Sequence, residues 1–304
     1  MKLCAVSVDL DEIHHYYRIH GLGAPALSHP VYDVALERLE EWARSERIPL
    51  TWFAVGADLG RAANAEALSG AVRRGDEVGN HSQNHLYDLT RRELAEQAKE
   101  ISQGTESITR ATGEKPSGFR APGYTVTDAL LAMLQEQGYA YDSSVFPCPT
   151  YYAAKAAKML GYRLRGRRSA AVLDTPAMLG APTRPYRVGR PYWKQGDGLA
   201  ELPIQVTPGA RLPFIGTTLA LAGPDGARLL CRSLLGEPLI NLELHGADAL
   251  GTSDGLEELE RHQPDLRLSV QRKLEAFSAV IGLLRRAGYS FVRLDEAGRL
   301  CVRA

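Results

Sequence analysis

Short apolar runs alternate with longer stretches whose apolar residues recur every three or four positions, and this alternation constrains the fold more than any other feature of the chain. Residues 3–8 read as a buried strand, residues 32–48 set Val34, Leu36, Leu39 and Trp42 on one helical face, and Leu50 to Val55 is the next strand. The order repeats with helix 62–74, strand 77–79, helix 91–112, strand 118–120, helix 127–137 and strand 139–141, where Thr127 caps its helix and Gly138 stops it. Residues 148–215 break the rhythm with a helical piece near 151–160 and a strand at 202–206. The pattern resumes with strand 238–244, helix 268–287 and strand 290–294. Strands separated by helices run parallel, so the expected class is α/β: a deformed (β/α) barrel of about seven strands, closed or nearly so. Residues 1–304 fit one such domain, with 148–215 as an irregular insertion or cap.

In a barrel of this kind the loops that follow the strands share one rim. Asp9-Leu10-Asp11-Glu12, the segment His81 to His85, the tract Arg120-Ala121-Pro122-Gly123-Tyr124, and His245 all follow strands, so the topology makes them neighbours. Clustered carboxylates at a strand end repel unless a cation sits among them. Two histidines four apart present both imidazoles to one side if the segment turns like a helix.

Composition narrows the partners. The 36 basic and 36 acidic side chains cancel, so no overall charge draws the chain to nucleic acid. Cys4, Cys148, Cys231 and Cys301 are scattered and suggest neither a zinc knuckle nor a disulfide framework; reduced thiols are the simple reading. The apolar run after Met1 is too short for a signal peptide, and nothing approaches the roughly 20 apolar residues of a membrane span. A cytoplasmic protein is expected, with its oligomeric state open. Phosphate-binding glycine loops, a Ser-His-Asp order and a dinucleotide fingerprint are absent from the sequence.

An aspartate with two histidines suits a divalent transition ion that keeps positions open for water and substrate. Such an ion lowers the pKa of water and polarises a carbonyl, and a second carboxylate can take the proton when water attacks. Arg120 is the residue to hold that carboxylate ionised, and His245 can protonate a leaving nitrogen. These are parts for amide hydrolysis.

At this point the chain resembles the polysaccharide deacetylases of carbohydrate esterase family 4. Ser7-Val8-Asp9-Leu10-Asp11 is similar to the family's Thr-Phe-Asp-Asp-Gly, His81 to His85 to its histidine pair, Arg120-Ala121-Pro122 to its Arg-x-Pro, and Leu244-His245 to its Leu-x-His motif. The resemblance implies Asp9 as general base, Asp11, His81 and His85 as ligands of a divalent metal (zinc first, with nickel, cobalt or manganese as options), Arg120 as the partner of Asp9, and His245 as general acid. It also implies an oxyanion site at the Pro122-Gly123-Tyr124 turn, made by a backbone N–H of Gly123 or Tyr124. The expected activity is removal of an N-acyl group, acetyl or formyl, from an amino sugar, free or linked to a lipid or nucleotide.

The sequence departs from the family in three places. Leu10 separates the two aspartates, so their roles could be exchanged or Glu12 could substitute. Gly-Tyr replaces the commoner aromatic-Gly after Pro122. The family's fourth motif, an aspartate that tunes the acid histidine, has its counterpart in Asp142, which could equally cap a strand end.

Between Lys155 and Lys194 ten basic residues stand against one acid, Asp174. Arg163, Arg165, Arg167 and Arg168 form the densest part, which could meet a substrate phosphate or be a solvated face. His14, His15, His20 and His29 could add ligands, but read first as a loop over the rim with solvated or substrate-facing histidines. Tyr16, Tyr17, Tyr192 and Trp193 could stack on a sugar ring or pack in the insertion. Asp248 could orient His245 or begin a turn, and Glu243 could face the barrel interior or a helix. Two other functions stay open: hydrolysis of a non-sugar amide on the same barrel, and a catalytically silent carbohydrate- or lipid-binding protein.

Overall fold

The structure is a computed structural model that describes residues 2–23, 29–164, 166 and 171–302. In chain order the elements are β1 (Leu3–Leu10), α1 (Ile13–His20), a π-helical turn at Val31–Ala35 that runs into α2 (Leu36–Glu46), β2 (Leu50–Ala54), α3 (Ala62–Arg73), β3 (Glu77–Asn80), α4 (Leu94–Thr112), β4 (Gly118–Phe119), α5 (Asp128–Glu136) and β5 (Tyr141–Asp142). They continue with α6 (Pro149–Leu164), β6 (Tyr186–Val188), β7 (Gln195–Glu201), α7 (Gly216–Arg232), β8 (Leu239–His245), α8 (Val270–Arg286), β9 (Ser290–Phe291) and α9 (Leu294–Cys301). Among the described residues no helix is long and apolar enough to cross a membrane.

The strands form one sheet in the order β6-β7-β5-β4-β3-β2-β1-β8, with β9 added to β1. All pairings are parallel except β6 with β7. The α/β class and the deformed barrel expected from the alternation are therefore present, with nine strands in the sheet among the described residues rather than about seven.

The strand expected at 202–206 is not a ladder strand. β7 ends at Glu201, and Pro203 has no N–H to continue a ladder. The segment instead spans the open side of the barrel: Leu202 N donates to Asp142 O at 2.9 Å, Ile204 N to Val145 O at 3.0 Å, and Gln205 N to Asn241 O on β8 at 3.2 Å. Three helices lie where none was expected. Glu12 caps α1 by accepting from Ile13 N, α7 is two helical pieces that meet at Gly223, whose φ of 67° and ψ of 178° are not helical, and α9 follows β9.

Strand pleating sorts the side chains of β1. Cys4, Val6, Val8 and Leu10 face outward into the main core with Trp42, Phe277 and Ile281 from the surrounding helices. Leu3 and Ala5 face the barrel interior, where they meet Phe53, Tyr141, Leu202 and Leu294. The same parity on β8 sends Ile240, Leu242 and Leu244 outward. The β1–β8 register pairs Leu3 with Leu239, Ala5 with Asn241, Ser7 with Glu243 and Asp9 with His245. The interior thus changes from apolar at the N-terminal end to ionisable at the C-terminal rim, and Glu243 faces inward.

At the apolar end one carboxyl is buried. Glu77 accepts from Tyr141 Oη at 2.9 Å, Thr51 Oγ1 at 2.9 Å and Asp295 N at 3.0 Å, tying β2, β5 and α9 together. Burial outweighs these bonds and lifts its pKa from 4.5 to about 7. The folded chain therefore binds a proton more readily than the unfolded one. The contribution is full below about pH 4.5 and is lost as pH rises through about 7. Glu77→Gln should flatten the fall in urea-unfolding free energy between those two pH values; an unchanged slope would show that another group sets it.

Candidate active site

Four strand ends deliver the rim residues. Asp9 is the ninth residue of the chain on β1 and points inward by parity, while Asp11 lies just beyond the strand, where the backbone turns towards α1. His81 and His85 follow β3, but not on a helix as the four-residue spacing allowed: Ser82 and His85 adopt left-handed φ of 66° and 51°. This bent loop brings the rings together, with centroids 4.8 Å apart. Arg120 follows β4, and His245 ends β8.

Asp11 Oδ1 lies 3.2 Å from His81 Nε2 and 3.1 Å from His85 Nε2, and the two Nε2 atoms are 3.1 Å apart. All three side chains are buried. His81 Nδ1 donates to Arg120 O at 2.7 Å, which leaves the Nε2 lone pair facing Asp11 and His85. Burial drives His85 neutral, to a pKa of about 3. Burial raises the Asp11 carboxyl, but the two histidines outweigh it and hold it well below the usual range. An ionised carboxylate and two imidazole nitrogens whose ligand atoms all lie within 4.8 Å are a donor set that can hold a metal ion.

Asp9 stands beside this group. Its Oδ1 accepts from Arg120 Nη1 at 2.7 Å, while its Oδ2 is buried without a hydrogen bond, 3.9 Å from His81 Nε2. Burial raises the Asp9 pKa against the pull of Arg120. Of the two aspartates, Asp11 therefore touches both histidines and Asp9 touches the arginine. Glu12 does neither, since it is spent on the amides of Ile13 and Val31.

His245 Nδ1 lies 2.9 Å from Glu243 Oε1. Burial opposes the imidazolium, but Glu243 outweighs it and lifts the pKa well above 6.5. Tyr124 Oη completes the group, 3.0 Å from Glu243 Oε1 and 3.1 Å from His245 Nε2. Asp9, Glu243 and His245 present ligand atoms within 4.8 Å of one another, so the two carboxylates and the imidazole occupy one site.

Asp142 does not reach His245. It accepts from Ser144 Oγ at 2.8 Å and Ser144 N at 3.1 Å, and it pairs with Glu201. It caps a strand end, and the carboxylate on His245 comes from Glu243, two residues away on the same strand. Asp248 accepts from His245 N at 2.8 Å, a turn contact to backbone rather than to the imidazole. In the 122–124 turn, Tyr124 N donates to Ala121 O at 3.0 Å, and Pro122 has no N–H, so the Gly123 amide is the free donor there among the described residues.

The other sequence candidates divide. Tyr16 lines the cavity over the site, whereas Tyr192 and Trp193 pack into a separate cluster with Met178 and Tyr186. His15 accepts from Arg18 on Nδ1 at 3.1 Å and donates from Nε2 to Asp58 at 3.2 Å, so that imidazole is engaged at both nitrogens. Arg163 is exposed on α6; Arg165, Arg167 and Arg168 lie outside the described residues. Sequence reading missed the cavity wall formed by Tyr151, Lys155, Lys158 and Tyr162. Their spacing of four, three and four marks one helical face and was the available signal.

Comparison with known proteins bears out the family resemblance. Residues 33–141 match the polysaccharide deacetylase model. A peptidoglycan deacetylase of Helicobacter pylori is 26% identical over 149 residues, covering 47% of this chain and 49% of that protein, so the chain spans about half the length of the curated relative it matches. A candidate polysaccharide deacetylase of Mycobacterium smegmatis shares the fold with a TM-score of 0.60 at 17% identity, over 99% of this chain and 90% of that one. A family 4 carbohydrate esterase of Streptomyces lividans, solved with acetate, gives 0.50 at 13% identity over 95% and 91%. A family 4 pseudoenzyme of Bacillus anthracis gives 0.52 at 14% identity over 100% and 67%.

If Asp11, His81 and His85 hold a cation, the purified chain should carry about one divalent ion by elemental analysis, and His81→Ala or His85→Ala should lose it without loss of helical signal. Full metal content in both variants would place the ion elsewhere.

Proposed function

We propose that this chain, which resembles the polysaccharide deacetylases, is a metal-dependent hydrolase that removes an acetyl or formyl group from the nitrogen of an amino sugar or sugar conjugate. The observation that carries the reading is one rim on which a metal-competent Asp-His-His group, a carboxylate clamped by Arg120 and a histidine clamped by Glu243 come together. We read residues 1–304 as one barrel domain, with α6 in the 148–215 tract serving as its cap. The deacetylase match over 33–141 supports hydrolysis of a carbon–nitrogen bond outside peptides.

Asp11, His81 and His85 would hold the ion, zinc by preference for this nitrogen-and-oxygen donor set, with nickel, cobalt or manganese as substitutes. When bound, the cation supplies polarisation of the acyl carbonyl and a water of lowered pKa. Asp9 takes the proton from the attacking water at Oδ2, the oxygen Arg120 leaves unpaired. The Gly123 N–H points donor capacity at the carbonyl oxygen as negative charge develops there. His245, kept protonated by Glu243, gives its proton to the sugar nitrogen as the C–N bond breaks. A free amine and acetate or formate leave. Sugars carrying a lipid or nucleotide phosphate fall within this class.

Two experiments address these roles. Asp9→Asn should keep its metal and lose roughly 10²–10⁴-fold in turnover of an N-acetyl or N-formyl amino sugar, measured by mass spectrometry of released acid; undiminished turnover would defeat the assignment. Glu243→Gln removes the charge that raises the His245 pKa, so the imidazole deprotonates earlier. The alkaline limb of the kcat/KM profile should move to lower pH, and a limb that stays in place would assign the acid to another group.

A further inference from the structure

The cavity over the site has a volume of about 550 Å³, within the range of pockets that enclose a small ligand. α6 lies across it, α1 walls one side, and the segment Pro213 to Thr218 walls another. Much of the wall is aromatic or apolar, from Tyr87, Tyr124, Tyr151, Met159 and Ile215.

The two acids of this cavity are committed at its reacting end: Asp9 pairs with Arg120, and Asp11 faces the Nε2 atoms of His81 and His85, with which it would share a cation. The cavity's two ammonium groups come from Lys155 and Lys158, three residues apart on α6. Lys155 Nζ donates to Gly123 O at 3.0 Å and feels Asp174 nearby. Lys158 has no carboxylate partner among the described residues, and burial pulls its pKa below the usual lysine value.

A second group at this end has one nitrogen unpaired. His20 is only 4% exposed, its Nδ1 sits 3.1 Å from the Tyr162 hydroxyl, and its Nε2 is buried with no hydrogen bond. Burial keeps the ring neutral, with a pKa of about 3. In the tautomer in which the hydroxyl donates to Nδ1, Nε2 carries the hydrogen, and an anion selects that tautomer. Buried nitrogens are almost always paired, so Nε2 is open to an acceptor that a ligand brings.

We propose that Lys158, assisted by Lys155 and by His20 Nε2, forms an anion subsite for a phosphate or carboxylate carried by the substrate, which makes the preferred substrate a compact, anionic N-acylated sugar or chain end instead of the middle of a neutral polymer. This rests on the hydrolase reading above for the reacting end of the cavity. The subsite itself stands on Lys158 and His20, neither of which has a role in the hydrolysis.

The test uses the metal-loaded full chain and three sugars: N-acetylglucosamine, its 1-phosphate, and N-acetylmuramic acid, which carries a carboxylate. The kcat/KM of at least one anionic sugar should exceed that of the neutral one by about tenfold or more, mainly through KM. Lys158→Ala should collapse that ratio, and Lys158→Arg should restore most of it. Whichever anion gains more identifies the source of the charge. If the neutral sugar is hydrolysed as well as the others, or the ratio survives Lys158→Ala, the subsite is overturned and the hydrolase reading stands. If no sugar is hydrolysed, the hydrolase reading fails, and calorimetry with inorganic phosphate decides the subsite: binding about tenfold weaker in Lys158→Ala supports it, and equal binding overturns it.

Discussion

A buried guanidinium costs several kcal/mol to desolvate, and the cost is recovered only when its donors are met in good geometry. Arg120 meets that condition at the point where the strands converge. Its Nη1 donates to Asp9 at 2.7 Å, its Nε to Ser143 O at 2.8 Å and its Nη2 to Ser143 Oγ at 2.8 Å. Its Cζ lies over the Phe53 ring, 4.2 Å from the ring centre. Its own carbonyl takes the His81 Nδ1 hydrogen, so one residue orients the Asp9 carboxylate and sets the tautomer of a metal-competent imidazole. The demand propagates outward. Phe53 can lie beneath the guanidinium because Gly79 on β3 has no Cβ, which would stand 2.5 Å from the ring. Asn241 donates to Ser143 Oγ at 2.9 Å and holds it from β8.

Much of this was legible because parity and topology are simple rules. The apolar run of β1 fixes which residues face the helices, and that parity carries Asp9 inward and puts Asp11 past the last pleat. The loops after β3, β4 and β8 could be placed on one rim for the same reason. What the sequence hid was hidden by local signals that tertiary structure overrode. Two histidines four apart imitate a helical pair, yet left-handed Ser82 and His85 bring them together from a loop. Pro203 sits in an apolar run that imitates a strand, and its backbone joins β5 to β8 instead of pairing along either.

The tuning of His245 shows where motif order misleads. A counterpart in the expected place, Asp142, has the right charge and follows a strand, but its oxygens are taken by Ser144 and Glu201. Glu243 needs no distant loop. Two residues apart on one strand, Glu243 and His245 share the inward face, and the same register that sets Asp9 opposite His245 sets Ser7 opposite Glu243. A carboxylate in that position is bound to its histidine by strand geometry alone. Spacing within β8 therefore carried information that the search for a separate motif passed over.

The exchange of Gly and Tyr after Pro122 has a structural counterpart that links the cap to the site. Gly123 and Tyr124 both have left-handed φ, 64° and 59°. For a tyrosine that conformation costs of order 1–3 kcal/mol and survives only where its surroundings fix it. Three contacts fix it here: the hydroxyl is held by Glu243, Lys155 Nζ takes the Gly123 carbonyl, and Tyr152 Oη takes the Tyr124 carbonyl at 3.3 Å. Two of the three come from α6, the helix that covers the cavity. The 122–124 turn is thus held in shape from the α6 side, and a ligand seated against α6 would bear on the same backbone. The tract that broke the barrel's rhythm thus lines the cavity and holds the turn at its floor, so it belongs to the site and not to its periphery.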